Sequence, residues 1–329
     1  MQVQSHPDVF IVGAGLIGAS IAWRLSQSGL RVRLADAGRF GGEASSAGAG
    51  MLSPGGEFDR PSVWIELGLA SMRLYPAFVE ALESDTGCRI DFKICGCTEF
   101  VFSDEELPEA LQRALFQSSA GIRVESTPEG LFYPDDGLVA PADLLGALRT
   151  ACQRRSVEIE EQRAIDQIEC SEYAAVVIAA GAWSGNISVM FRNERVPLPQ
   201  TTPVKGHLLG FDLPPGTLGP IRRHGASYVV QRSNGFTVAG STEETVGFDR
   251  SIDAAACNQI HRGAAELFPT LEDVAPSKRW IGFRPRAEGE GPHIRQIEGT
   301  NVWLAYGHYR NGILLAPLTA DRVAAEIAR

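Results

Sequence analysis

The chain has 329 residues, 44% hydrophobic and 21% charged, which is the balance of a globular protein large enough for two domains. A formal charge of −10 excludes the clustered Lys and Arg that neutralise phosphates, so neither nucleic acid nor an anionic lipid surface is an expected partner. No run approaches the roughly 18 apolar residues of a membrane span. Asp8 stands where a secretion signal needs positive charge, so the expected location is cytoplasmic.

In chain order, Val9 to Val12 is a short apolar run suited to a parallel strand covered on both faces. Gly13 ends it. Ile17, Ile21 and Leu25 then follow at helical spacing until Gly29 supplies a stop. A second strand from Arg31 to Ala35 leads to Asp36. Val63 to Leu82 reads as an amphipathic helix with Val63, Leu67, Leu74, Phe78 and Leu82 facing inward, and Ala142 to Arg154 reads as another. Strands are expected at Val157 to Ile159 and Ala175 to Ala179. From Pro197 to Gly247 short strands alternate with Pro and Gly, and Asn234-Gly235 between Tyr228-Val229-Val230 and Phe236-Thr237-Val238 signals a hairpin. A helix from Ala254 to Phe268, a buried strand from Val302 to Ala305 and a closing helix from Gly312 to near Ile327 complete the pattern. βαβ pieces at both ends and in the middle, with hairpins between, point to two interleaved domains.

Gly13-Ala14-Gly15-Leu16-Ile17-Gly18 joins the first strand to the first helix. Gly13 permits the tight turn, Gly15 lets backbone approach a pyrophosphate, and Gly18 lets helix and strand pack. The helix N-terminus offers N–H groups and a positive dipole end. Asp36, 18 residues beyond Gly18, can accept from ribose hydroxyls and disfavours a 2′-phosphate. This pattern indicates a dinucleotide without choosing FAD over NAD. The small-residue loop Ser45-Ser46-Ala47-Gly48-Ala49-Gly50-Met51 and the tapering strand Val176 to Trp183 favour FAD, because both can lie along a long cofactor. Six cysteines show no C-x-x-C pair and no metal-ligand spacing. Cys95-Gly96-Cys97 reads as reduced thiols rather than a redox pair, and no metal site is expected.

The segment Gly307-His308-Tyr309-Arg310-Asn311-Gly312-Ile313-Leu314-Leu315-Ala316-Pro317 is the most specific in the chain. With Trp280-Ile281-Gly282-Phe283-Arg284-Pro285 and Pro203-Val204-Lys205-Gly206, it resembles the glycine oxidase branch of the D-amino-acid oxidase-like flavoproteins over nearly the whole length. The resemblance implies an α/β fold with an FAD-binding Rossmann-like domain of the glutathione-reductase type (1–84, 138–195 and 281–329). This is interleaved with an α+β substrate domain on a mostly antiparallel sheet (85–137 and 196–280). It further implies noncovalent FAD and hydride transfer from a small amino acid to flavin N5. The imine would yield glyoxylate or another 2-oxo acid and ammonia, with O₂ reduced to H₂O₂, in the service of thiazole and thiamine biosynthesis.

On the same resemblance, Arg310, Arg284 and Tyr228 would hold the substrate carboxylate, with Met51 beside flavin and substrate. An arginine fork matches a carboxylate in two parallel bonds. Cofactor contacts are expected at Gly13, Gly15, Leu16, Ile17, Gly18, Asp36, Ala37, Ser45, Ser46, Ala47, Gly50, Met51, Ala164, Ile165, Ala180, Gly181 and Trp183. At the C-terminal end they are expected at Arg284, His308, Arg310, Asn311, Gly312, Ile313 and Leu314. No acid–base residue is demanded, since aiming a neutral amine supplies most of the catalysis; His308 reads as a packing neighbour of the flavin. Pro317 is tolerable if it falls in the first turn of the last helix. The chain departs from its relatives at Gln231, where Pro is usual, at Arg295, and in a short 157–175 region beside the adenine. A homo-oligomer, often a tetramer, is implied. Competing readings are a sarcosine or D-amino-acid oxidase or dehydrogenase, and an FAD-binding subunit of a larger complex.

Overall fold

A computed structural model describes residues 8–56 and 58–329. Four apolar residues with no polar alternation make β1 (Val9–Val12), which is buried along its whole length. It is joined through the glycine turn to α1 (Leu16–Gln27) and then to β2 (Val32–Ala35). A long helix, α2 (Val63–Thr86), follows, and a strand, β3 (Cys97–Phe100), then leaves this first layer. The chain returns with α3 (Pro141–Arg154), β4 (Glu158–Glu160) and β5 (Ala175–Ile178). It then builds β6 (Thr201–Asp212), β7 (Ile221–His224), β8 (Ser227–Gln231), β9 (Phe236–Gly240), α4 (Ala254–Leu267) and β10 (Lys278–Ala287). It closes with β11 (His293–Gln296), β12 (Val302–Tyr306) and α5 (Gly312–Ile327).

The six-stranded sheet runs β11-β12-β5-β1-β2-β4, parallel except at the β11–β12 edge. Helices α1, α2, α3 and α5 cover one face, with Trp23, Phe78, Leu82 and Leu315 in that core. A three-stranded sheet (Gln167–Glu169, Ser188–Phe191, Glu194–Val196) packs toward the other. The eight-stranded sheet begins β10-β6-β9-β8-β7-β3 and ends with Gly130–Tyr133 and Glu125–Thr127; its pairs are antiparallel except β7 with β3. Helix α4 seals the rear face of this sheet. The boundary expected between residues 280 and 281 falls inside β10. That strand pairs with β6 from Lys278 opposite Gly210 to Ala287 opposite Thr201, so residues 281–287 belong to the eight-stranded sheet.

Two local expectations change. Val63 is 39% exposed, because the inward stripe of α2 starts at Ile65 and runs through Gly68, Ser71, Tyr75, Phe78 and Leu82. Pro317 is the sixth residue of α5, beyond the first turn. Its missing N–H leaves the Ile313 carbonyl without an intrahelical donor. The Tyr75 hydroxyl donates to that carbonyl at 2.9 Å, and the Ser71 hydroxyl donates to the next one, Leu314, at 2.6 Å. Two side chains of α2 thus replace what the proline removes, and they fix the end of α5 that faces the site.

Candidate active site

A cavity of about 950 Å³ runs from the glycine turn to the face of the eight-stranded sheet. At the first end the wall is largely backbone. Gly13 has φ +107°, and a Cβ there would lie 2.4 Å from the Ala179 carbonyl. A Cβ on Gly18 would lie 1.9 Å from the Gly13 carbonyl, so the helix can approach the turn this closely only because residue 18 is glycine. The Ser45 hydroxyl accepts from the Leu16 N–H at 2.8 Å and occupies one of the free donors of the helix start. Asp36 accepts from the Ala14 N–H and from the Gly38 N–H, each at 2.7 Å. Its carboxylate therefore braces the glycine turn while still lining the cavity.

The far end is built from side chains. The Arg284 guanidinium lies over Gly206, where a Cβ would sit 2.5 Å from it, and donates to the Thr242 carbonyl (3.0 Å) and the Ser241 hydroxyl (2.6 Å). Tyr228 lies over Gly240 in the same way. Burial pushes the Tyr228 phenol above its ordinary pKa, against the pull of Arg284 and Arg310, so it stays a neutral donor. Burial also lowers the Arg284 pKa from its very high ordinary value, with Arg310 adding repulsion. Arg284 and Arg310 share one recess, and Glu243 faces them there, with a carboxylate oxygen 3.8 Å from Arg310 and a hydrogen bond from the Tyr309 hydroxyl.

Nearly all the predicted residues border this one cavity. Gly13, Gly15, Leu16, Ile17, Asp36, Ala37, Ser45, Ala47, Gly50, Met51, Ala164, Ile165, Ala180, Gly181 and Trp183 do so on the cofactor side. Tyr228, Arg284, His308, Arg310, Asn311, Gly312 and Ile313 border the rest. Three predicted contacts lie off it. Gly18 serves helix–strand packing, the Ser46 hydroxyl donates to the Glu43 carbonyl at 3.3 Å, and Leu314 is buried against Gly68 of α2. His308 is buried, bonded through Nε2 to Thr319 at 3.0 Å, and held by burial at a pKa of about 3. It is a neutral packing residue.

Reading the sequence alone misses Ser53, Arg223, Ser241 and Glu243, all of which line the cavity. Nothing local marks them, because strand register and the turn after β9 bring them in. Gln231 finds a local role: its buried amide accepts from the Leu218 N–H and donates to the Gly235 carbonyl and the Thr237 hydroxyl, which ties down the 214–218 turn. All six cysteines are free thiols, and no cluster able to hold a metal occurs among the described residues. No helix among them is long and apolar enough to cross a membrane.

A strand–glycine turn–helix cradle, an acidic residue after the second strand and a long cavity ending on an antiparallel sheet define a flavin-dependent oxidoreductase. Residues 8–326 match the family of FAD dependent oxidoreductases, and the chain belongs to it and binds FAD. It is 32% identical to a glycine oxidase of Geobacillus kaustophilus over 98% of this chain and 93% of that protein. The crystal structure of glycine oxidase from Geobacillus kaustophilus superposes with a TM-score of 0.89 at 30% identity, covering 98% of this chain and 94% of the other. The bifunctional protein ThiO/ThiG of Synechocystis is 33% identical over 98% of this chain, which spans only 52% of that protein's length.

Proposed function

We propose that the chain oxidises glycine or a similarly small amino acid, for thiazole and thiamine biosynthesis. In the overall reaction the amino acid, O₂ and water become a 2-oxo acid (glyoxylate from glycine), ammonia and H₂O₂. The observation that carries this reading is the placement of Arg284, Tyr228 and Arg310 at the far end of the cavity that starts at the glycine turn. Bound FAD supplies the hydride acceptor.

The protein's own share is positioning. The cradle from Gly13 to Ile17, with Asp36 and Ser45, would hold the dinucleotide; Met51, Ile313 and Gly312 would border its reactive end. Arg284 and Arg310 would take the substrate carboxylate in charge-assisted bonds, with Tyr228 as a neutral third donor. An entering carboxylate competes with Glu243 for Arg310. The carboxylate anchors one end of the molecule, so the α C–H is aimed without any acid–base residue, and orientation lowers the barrier.

The test is anaerobic mixing of the FAD-loaded protein with glycine, sarcosine, D-alanine and D-proline while flavin absorbance is followed. Bleaching is expected, fastest with glycine, and peroxide should accumulate in air. Bleaching without peroxide would mark a dehydrogenase, and a flavin left oxidised by every amino acid would refute the proposal.

A further inference from the structure

One backbone donor in the cavity wall has no partner, and a side chain outside the cavity keeps it so. The short strand Met51–Leu52 pairs antiparallel with Gly137–Val139, Met51 opposite Leu138 and Leu52 opposite Gly137. The same register sets Gly50 opposite Val139. The Val139 N–H donates to the Gly50 carbonyl at 2.9 Å, and a regular pair of this kind would return a bond from the Gly50 N–H to the Val139 carbonyl. That second bond is not made. Gly50 has φ +93°, a conformation that puts its Cβ position 1.9 Å from the Val139 oxygen and admits only glycine. Its N–H has no hydrogen-bond partner among the described residues.

The Val139 carbonyl goes to Arg232 instead. From the hairpin between β8 and β9 the guanidinium spans two carbonyls, Val139 at 3.1 Å and Ala49 at 2.6 Å. Its root is fixed. The Arg232 N–H and carbonyl close the hairpin with Phe236 and Gly235, and the Asp91 carboxylate accepts from the N–H and the hydroxyl of Ser233. In a planar trans peptide the C=O and the N–H point in opposite directions. The Ala49 carbonyl points to Arg232, which lies off the cavity, so the Gly50 N–H of the same peptide points the other way; Ala49 and Gly50 both line the cavity. Neighbouring contacts show which part of the cavity this is. Ala47 meets Gly282, two residues before Arg284 on the same face of β10, and Gly48 meets the Ile313 side chain. The free N–H therefore belongs to the end that carries Arg284, not to the turn at Gly13.

We propose that Arg232 is a positioning residue for the flavin. By holding the Ala49 and Val139 carbonyls, it keeps the Gly50 N–H out of the strand pair and presents it as a donor to the polar edge of the isoalloxazine ring. Reduction adds negative charge to that ring, so a fixed donor aimed at it stabilises the reduced form more than the oxidised one. Arg232 thus raises the flavin potential without touching the cofactor. The inference concerns bound FAD and is independent of which amino acid is oxidised.

The experiment compares FAD-loaded wild type with Arg232→Met, which is unbranched and neutral. Freed of its partner, the Val139 carbonyl should take back the Gly50 N–H. The two-electron potential, measured against a reference dye, should fall by about 30 mV, the equivalent of a tenfold change. The Kd for sulfite, which adds to the ring and charges it, should rise about tenfold. Arg232→Lys keeps the cation and a donor for one of the carbonyls, and both shifts should shrink to about threefold. Crystal structures of the FAD-loaded proteins supply the geometry. In the wild type the Gly50 nitrogen should stand about 3 Å from a ring oxygen or nitrogen, and in the methionine variant it should bond to Val139. A wild-type Gly50 N–H directed at no ring atom would overturn the proposal, as would a methionine variant that keeps its flavin with unchanged potential and sulfite affinity. A potential that falls while Gly50 stays in place would overturn it too, because the effect would then be that of the lost charge. The wild-type structure decides the matter if Arg232→Met does not fold.

Discussion

At its cofactor end the cavity is made of backbone, and at its substrate end it is made of long side chains over a sheet. Around Gly13 and Gly18 the margin is set by carbonyl oxygens that cannot move, 2.4 and 1.9 Å from where a Cβ would be. Around Arg284 and Arg310 it is set by hydrogen bonds and charges between side chains, among them the Arg310–Glu243 pair at 3.8 Å. The first end is rigid and specific for one dinucleotide shape. The second is adjustable, and substitutions there should change which molecule is oxidised before they change whether flavin is held.

Gly13→Val should break that comparison hardest. The added atoms meet backbone at a positive φ, and flavin content of the purified protein should fall to about a tenth of wild type or less. If full flavin is retained, the backbone account of this end fails. Arg284→Ala should keep its flavin and raise KM for every amino acid by about 10- to 100-fold, the worth of a charge-assisted pair. Measured flavin content separates this outcome from unfolding.

Asp136→Asn probes charge stored at the substrate end. The native carboxyl titrates at about 6 against an ordinary 3.8, so the folded protein binds its proton more tightly than the unfolded chain does. Wild-type stability contributed by this group is therefore present at low pH and lost as pH rises through about 6. The asparagine variant should melt roughly 3 °C higher at pH 8, with the gain vanishing near pH 4. A gain independent of pH would contradict it. The smallest effect is expected for Glu243→Gln. Removing the half-exposed competitor for Arg310 should lower KM for glycine by about two- to fivefold, without altering flavin content.

The same contrast explains what the sequence disclosed. The glycine turn, Asp36 and the run from Gly307 to Pro317 are local, and their spacing carries their geometry. The six-stranded sheet was readable because β1, β5 and β12 are apolar runs buried on both faces. Much of the eight-stranded sheet was not. β3 pairs parallel with β7 across more than a hundred residues, and no local pattern records that partner. Arg223 shows the consequence: nothing local sets it apart from Arg222, yet register turns it inward onto Glu99. Glu243 was equally hidden, since only the turn after β9 brings it to Arg310. Pro317 reads as a first-turn proline until Tyr75 and Ser71, more than two hundred residues earlier, are seen to satisfy the carbonyls around it.

The central claim is that one cavity holds FAD at the glycine turn and an amino-acid carboxylate between Arg284 and Arg310. Its most direct test is the glycine concentration that half-saturates anaerobic flavin reduction, compared between the wild type and an Arg284→Ala, Arg310→Ala double variant. The account predicts a rise of about 100-fold or more in that concentration, with the limiting rate reduced far less and flavin content unchanged. A half-saturating concentration equal to that of the wild type would contradict it.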